Sequence, residues 1–447
     1  MADGTSLKYA LVIRESVERT RFSEETVLRG RAMRAGAAAL LAIITLATTA
    51  FGEAPSNPDK IGTTLKDYLG YAEAHNAGLK SSYYQWQAAQ EEIPQAKTLP
   101  DPEISYNYWT QQSSQQMKQT LEVMQTFPWF GKLDARTEAA KNSAAAARQK
   151  YEAARLALFK EVKEGFYEFA YLARATEIAG ENLELSKHFE EVAQTRHMTA
   201  EASHPDVIRA QVETAKMEDI LRGLGQLREP TVSRLRAALT LPAEANLPWP
   251  TVAEINAAEL DYEKVASRLI QKNPELAGLQ EEQLAAKSMV TLAEKNFYPD
   301  IGIGVMWEDM SRAGDQDGVA LVFRMNLPLW RDSYRGAVRQ AQARQASIEQ
   351  QRVDMENSLL AKASQAYYEY RDSIRKMRLY RDTLLPKGRE LLRESEAAYR
   401  SGTIDFLSLI DAQRTLLDYH LAYERALTDN RQKLAELEML AGAELNF

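Results

Sequence analysis

Cysteine is absent from all 447 residues. That excludes a disulfide framework, a thiolate metal site and a cysteine nucleophile. It also excludes acylation of a thiol at a mature N-terminus. Histidine is scarce, with 5 in the chain. No Gly-rich phosphate loop, His-Glu-x-x-His or Gly-x-Ser-x-Gly pattern occurs. With no catalytic constellation, the chain is not read as an enzyme, and no cofactor or metal is expected. The net charge of −8 comes from interspersed acidic and basic residues, which gives no footprint for nucleic acid. A mean hydropathy of −0.44 excludes a bundle of membrane helices. It does not exclude a membrane β-barrel, whose strands are only half apolar.

One apolar run stands out, Ala35 to Ala50, preceded by Arg29, Arg31 and Arg34. A positive stretch, a short apolar stretch and small residues are the parts of a secretory signal. Cleavage is expected at Ala50-Phe51-Gly52 or Gly52-Glu53-Ala54. The run is too short to span about 30 Å of hydrocarbon comfortably at about 1.5 Å per residue. Met33 is the more natural start, so residues 1–52 read as a signal peptide behind an over-extended beginning.

The rest of the chain repeats itself. Pro100-Asp101 returns as Pro299-Asp300, and Phe127-Pro128-Trp129-Phe130 as Leu327-Pro328-Leu329-Trp330. Phe166-Tyr167-Glu168-Phe169 returns as Tyr367-Tyr368-Glu369-Tyr370, and Ala243 to Leu247 as Ala443 to Phe447. Four matches in one order and one register mark a duplicated unit. The first repeat is placed at 53–250, with strands near 103–110 and 118–127. The second is placed at 251–447, with strands near 300–308 and 318–327.

Each unit reads helix, two strands, long helix. A helix is expected from Thr64 to about Ile93, kinked at Pro94 and ended by Pro100 and Pro102. A second is expected from about Leu133 to His204-Pro205, with Leu158, Val162, Phe166 and Phe169 on one face. That length is about 100 Å. The second unit repeats it from Arg335 to Arg400, interrupted at Pro386. Helices this long must pack along their length, as coiled coils do. The strands alternate apolar with small or polar residues: Val319, Leu321, Phe323 and Met325 against Ala320, Val322 and Arg324. Strands of about 8 to 10 residues suit a tilted bilayer crossing. Four strands are too few to close a barrel, since the smallest outer-membrane barrels have about eight. Open edges cannot face lipid, so several chains must share the barrel.

Certain stretches resemble a known family. Leu99-Pro100-Asp101-Pro102, Gln125 to Lys132 with its Phe-Pro-Trp-Phe-Gly-Lys core, and Tyr399-Arg400-Ser401-Gly402-Thr403 leading to Asp411-Ala412-Gln413-Arg414 are similar to the TolC family of outer-membrane efflux proteins. The Pro-Trp-Phe-Gly stretch most resembles its heavy-metal (CusC/CzcC-like) branch. The resemblance implies a mainly α fold with a small β part: a trimeric α-helical barrel in the periplasm below a shared 12-stranded outer-membrane β-barrel. It implies a homotrimer in outer-membrane lipid, docked to a periplasmic adaptor (membrane fusion) protein and an inner-membrane pump of the RND type. The chain would be the passive exit duct of a tripartite efflux system for metal ions or small toxic compounds. Two other readings fit many of the same features: a duct for type I polypeptide secretion, and a soluble periplasmic coiled-coil protein.

By resemblance, the turns between helices far from the barrel meet the adaptor. Ser401, Gly402, Thr403 and Asp206 are the candidates there. Gly402 suits a turn that needs φ > 0. The matching place in the first unit, about His197 to Pro205, lacks the glycine. Asp411 lies about two turns beyond Gly402. By resemblance it narrows the tunnel, with Ser408 one turn earlier and Asp405 near the tip. Three like charges in a ring would repel and attract cations. A competing account of Asp411 is an ordinary solvated carboxylate near a helix N-terminus. His197, Met198 and His204 would share a face only on an unbroken helix, which Pro205 argues against, so they read as polar loop residues. Tyr106, Tyr108, Trp109, Trp129, Trp307 and Trp330 fit interfacial girdles.

Overall fold

The computed structural model describes residues 62–109, 119–252, 259–309 and 317–445. The proposed signal peptide and most of both hairpin loops lie outside the described residues. The element order runs twice through one plan. The first pass is α1 (Leu65–His75), α2 (Ala77–Lys97), β1 (Glu103–Tyr108), β2 (Gln119–Phe127), α3 (Lys132–Met198) and α4 (His204–Leu239). The second is α5 (Tyr262–Lys272), α6 (Pro274–Lys295), β3 (Ile301–Asp309), β4 (Gly318–Met325), α7 (Arg331–Leu379), α8 (Leu385–Arg400) and α9 (Phe406–Ala441).

The expected helix from Thr64 to Ile93 is two helices. Asn76 is extended at ψ 122°, and its side chain explains the break. Its Oδ1 accepts from the Leu79 N–H at 2.7 Å while its Nδ2 donates to the Ala238 carbonyl at 2.8 Å. Asn273 does the same between α5 and α6, donating to the Leu440 carbonyl at 3.0 Å. In both units an asparagine ends one helix, starts the next and ties the corner to the end of the last helix. Pro94 does not end α2, which runs on to Lys97.

The sheet has the order β1-β2-β3-β4, antiparallel throughout. Ile104, Val123, Val305 and Leu321 lie opposite one another in turn, as do Tyr106, Leu121, Trp307 and Val319. Residues paired across strands share a face, so the apolar positions of all four strands form one continuous surface. It is exposed, with Val319, Leu321 and Phe323 each at 72%. The other face carries Ser105, Asn107, Glu122, Met124, Gly302, Gly304 and Arg324. Arg324 bonds Glu122 at 3.1 Å. Met124 lies flat over the two glycines, where a Cβ on Gly304 would meet the Val123 carbonyl at 2.7 Å. Close approach of a neighbour therefore explains the glycines.

Below the sheet, α2, α3, α6 and α7 lie side by side in that order. The lower half of α3 packs on α4 and α9. At 67 residues, α3 is about 100 Å long. Two equivalent cores sit where the short helices meet the long ones. One gathers Tyr68, Leu79, Phe166, Phe169, Leu235 and Leu239; the other gathers Leu269, Leu276, Leu359, Tyr370, Leu437 and Leu440. The interruption at Pro386 is a π turn, Tyr380–Leu384, rather than a break. The wider turn absorbs the missing N–H and the bulk of the ring.

Sheet and helices are joined across the two repeats. Lys132, buried at the start of α3, places Nζ 2.8 Å from Asp300 Oδ1 and 2.9 Å from the Tyr298 carbonyl. Asp300 Oδ1 also accepts from the Trp129 N–H at 2.9 Å, and Trp129 stacks on Tyr298. Trp129 is thus part of this junction, while Trp330 is 82% exposed.

Candidate functional site

Both turns remote from the sheet end their long helix the same way. At the second, Gly402 has φ +77°, its N–H donates to the Tyr399 carbonyl and the Thr403 N–H donates to the Ala398 carbonyl. That is the paired bond pattern of a left-handed helix stop. At the first, Ala200 has φ +62°, its N–H donates to the His197 carbonyl and the Glu201 N–H to the Arg196 carbonyl. Ala200 therefore takes the glycine's place, and the first unit makes the same stop without a glycine. Ser401 and Thr403 both aim hydroxyls at the Ala398 carbonyl, at 3.0 and 2.9 Å.

The helices leaving the turns are also capped alike. Ser203 and Asp206 bond reciprocally at the start of α4, and Asp206 also accepts from Arg209 at 3.2 Å. At the start of α9, Asp405 accepts from the Ser408 N–H at 3.0 Å and from its hydroxyl at 2.6 Å. That hydroxyl bond holds the Asp405 carboxyl below the usual carboxylate range. Asp206, Asp405 and Ser408 thus all serve as helix caps in the isolated chain.

The two tips pack into one body around Phe189, Ala193, Tyr399, Phe406, Leu409 and Ile410. Arg196 crosses from the first tip and sets its guanidinium 4.7 Å from the Tyr399 ring centre. A Cβ on Gly402 would stand 3.2 Å from that guanidinium, a contact that a small shift of the flexible arginine relieves, so the positive φ is what calls for glycine here. Burial pushes the Tyr399 hydroxyl pKa up.

The stretch Asp411-Ala412-Gln413-Arg414 resolves into separate tasks. Ala412 and Gln413 are buried. Gln413 donates through Nε2 to Ser186 Oγ at 2.7 Å and to the Asn182 carbonyl at 3.1 Å, binding α9 to α3. Arg414 grips Glu213 of α4 with two bonds, one of them Nε to Oε1 at 2.9 Å. Glu213 is 3% exposed at its side chain and Arg414 is 41% exposed. Of this stretch, only Asp411 is free to project, with its carboxylate 4.0 Å from Arg414. The Glu213–Arg414 pair was not legible in the sequence. Its partners are 201 positions apart, on different repeats.

Among the described residues no three His, Asp or Glu side chains come together to hold a metal ion. No described helix is long and apolar enough to cross a membrane. The element that can meet lipid is the apolar face of the sheet. Set on helices of about 100 Å, such a sheet defines a membrane-anchored exit duct. A family model described as outer membrane efflux protein matches residues 69–240 and again 265–443, once per repeat. The chain belongs to this family and is an outer-membrane efflux channel protein.

Its curated relatives include the cobalt-zinc-cadmium resistance protein CzcC of Cupriavidus metallidurans, 23% identical over 85% of this chain and 90% of that one. The solved structures it resembles include the outer membrane protein VceC of Vibrio cholerae, at TM-score 0.72 and 18% identity over 86% of this chain and 97% of that one. The Neisseria gonorrhoeae MtrE outer membrane channel in its open state is similar at TM-score 0.71 and 16% identity, over 89% and 95%. The similarity to these structures is one of fold.

Proposed function

We propose that three copies of this chain form the outer-membrane exit duct of a tripartite efflux system. Each contributes four strands to a twelve-stranded barrel and its long helices to a periplasmic tunnel. The observation that carries this reading is the sheet itself. It is apolar on one exposed face, mixed on the other with Ser105, Asn107, Glu122 and Arg324 among glycines and a few apolar residues, and open at both β1 and β4. Only further copies can pair those edges within hydrocarbon. Cleavage of a signal near residue 52 precedes assembly.

The duct is passive and does no chemistry. Ser401, Gly402, Thr403 and Asp206 lie at the end that receives a periplasmic adaptor, which connects the duct to an inner-membrane pump of the RND type. Asp411 narrows the tunnel as a ring of three carboxylates, held in place by the Ser408 and Asp405 cap below it. Similarity to a cobalt-zinc-cadmium resistance protein favours divalent metal ions as cargo.

The test uses the absence of native cysteine. Ser105→Cys is combined with Ala320→Cys or Val322→Cys in one chain. β1 and β4 are three strand spacings apart, about 14 Å, so a disulfide within a chain is excluded by distance. Oxidation in membranes should give a ladder ending at three copies. A ladder ending elsewhere, or none from either pair, overturns the trimer. In planar bilayers, Asp411→Ala should reduce cation selectivity. Unchanged selectivity and conductance would remove Asp411 from the constriction.

A further inference from the structure

The duplication allows each tip to be read against the other, and one position differs in chemistry while keeping its geometry. At the second tip, the rings of Tyr399 and Phe406 meet edge to face across the turn, with centres 5.4 Å apart. Both are buried and staple the end of α8 to the start of α9. At the first tip, the equivalent residues are His197 and His204, and their ring centres are also 5.4 Å apart. Here both rings are exposed. The turn thus keeps a facing pair of rings but gives up the apolar burial that makes such a pair useful. The rings meet across the turn rather than along a helix face, which is why Pro205 does not separate them.

Two imidazoles in solvent have a different use. A tetrahedral ion holds imidazole nitrogens at about 2.0–2.1 Å, which puts the ring centres about 5 Å apart. His197 already has the support that metal-bound histidines commonly have. Its Nδ1 lies 3.0 Å from the Ala202 carbonyl, which can only accept, so Nδ1 carries a proton and, in the neutral ring, Nε2 is the nitrogen with the lone pair. His204 is the first residue of α4, and its ring is open to solvent. The nearby Arg196 is engaged with Tyr399 and lies 3.7 Å from the Glu201 carboxylate, which lowers the local positive charge. Two other histidines lack this setting. His188 lies 3.2 Å from Arg400 and 3.8 Å from Glu396, and His420 lies 3.4 Å from Arg389, so each stands beside an arginine rather than a second imidazole.

We propose that His197 and His204 form a two-imidazole site for a divalent transition-metal ion, such as Cu²⁺, Ni²⁺, Co²⁺ or Zn²⁺, with water in the remaining positions. A bound ion would join the end of α3 to the start of α4, as the Tyr399–Phe406 contact joins α8 to α9. It would hold the turn in the left-handed conformation that Ala200 adopts at some cost. The site then couples metal in the periplasm to the stiffness of one tip. Its placement at the adaptor-docking end rests on the proposed function; the chelate does not.

The experiment titrates Cu²⁺, Ni²⁺, Co²⁺ and Zn²⁺ into the full-length protein in detergent, purified without a polyhistidine tag. Affinity should rise in the order Co²⁺, Ni²⁺, Cu²⁺. It should fall on acidification, because protons compete with the ion for the imidazole nitrogens. The paramagnetic spectrum of Cu²⁺ should show two equatorial imidazole nitrogens. His197→Gln and His204→Gln should each weaken binding at least about tenfold. The pair His197→Tyr with His204→Phe copies the second tip. It should keep the helical content and lose the site. Wild-type binding no tighter than in that double variant overturns the proposal, as does binding indifferent to both single changes. These readouts involve no transport and no assembly, so the chelate can fail while the trimer stands, and the reverse.

Discussion

Removing the guanidinium of Arg414 should loosen α4 from α9 at the periplasmic end. Glu213 is almost fully buried, and besides Arg414 its ion-pair partner is Lys216, at 3.9 Å. Truncating one member of a fully buried pair costs about 3–5 kcal/mol, and an exposed pair is worth about 0–1 kcal/mol. Arg414 is 41% exposed, so water screens its side of the pair. The expected cost of Arg414→Gln is therefore about 2 kcal/mol. The two helices otherwise touch little, so most of that loss should appear as local opening, about 30-fold. Hydrogen exchange at the amides of Val212 to Lys216 reads it directly. Glu213→Gln keeps the shape and removes the buried charge, so its effect should be smaller. The double variant should show coupling of about 1–2 kcal/mol. Unchanged exchange in Arg414→Gln, or strictly additive single effects, would refute the reasoning.

Ala200→Gly should slow exchange of the turn amides Thr199 to Ala202 about threefold, since it relieves a left-handed alanine worth about 0.5–1 kcal/mol. Gly442→Ala should do the opposite at the end of α9. Its φ is +72° and a Cβ would meet the Lys272 carbonyl at 2.4 Å. A loss of about 3 kcal/mol in denaturant midpoint studies is expected. His420 supplies a pH test. Burial, aided by Arg389, lowers its pKa below the ordinary 6.5. A depressed folded value contributes stability above about pH 6.5 that is lost as pH falls towards the folded pKa. The thermal midpoint should therefore drop on acidification below pH 6.5, and His420→Gln should flatten that drop.

Much of the architecture is written in short-range pattern. The alternation in β3 and β4 predicts their apolar face, and the structure's register lines that face up across all four strands. The spacing of Leu158, Val162 and Phe166 predicts the buried stripe of α3. Prolines were less decisive than they looked. Pro94 sits inside α2, and Pro386 is absorbed by a π turn, because neighbouring turns can adjust around one missing N–H. Asn76 gave no local warning of its break, since the bond that holds it reaches Ala238, 162 residues away.

Composition alone removes disulfides and cysteine chemistry and offers no motif for catalysis. For strands placed in a bilayer, the strand count alone calls for more than one chain, because four strands cannot close a barrel. These conclusions need only neighbouring residues or simple counts. The tertiary structure decided the rest: that Ala200 stands in for a glycine, that Gln413 and Arg414 are ties between helices while Asp411 projects, and that two histidine rings face each other across a turn. Each of these depends on which distant segment packs alongside. That is settled by the fit of whole helices, which no window of local sequence contains.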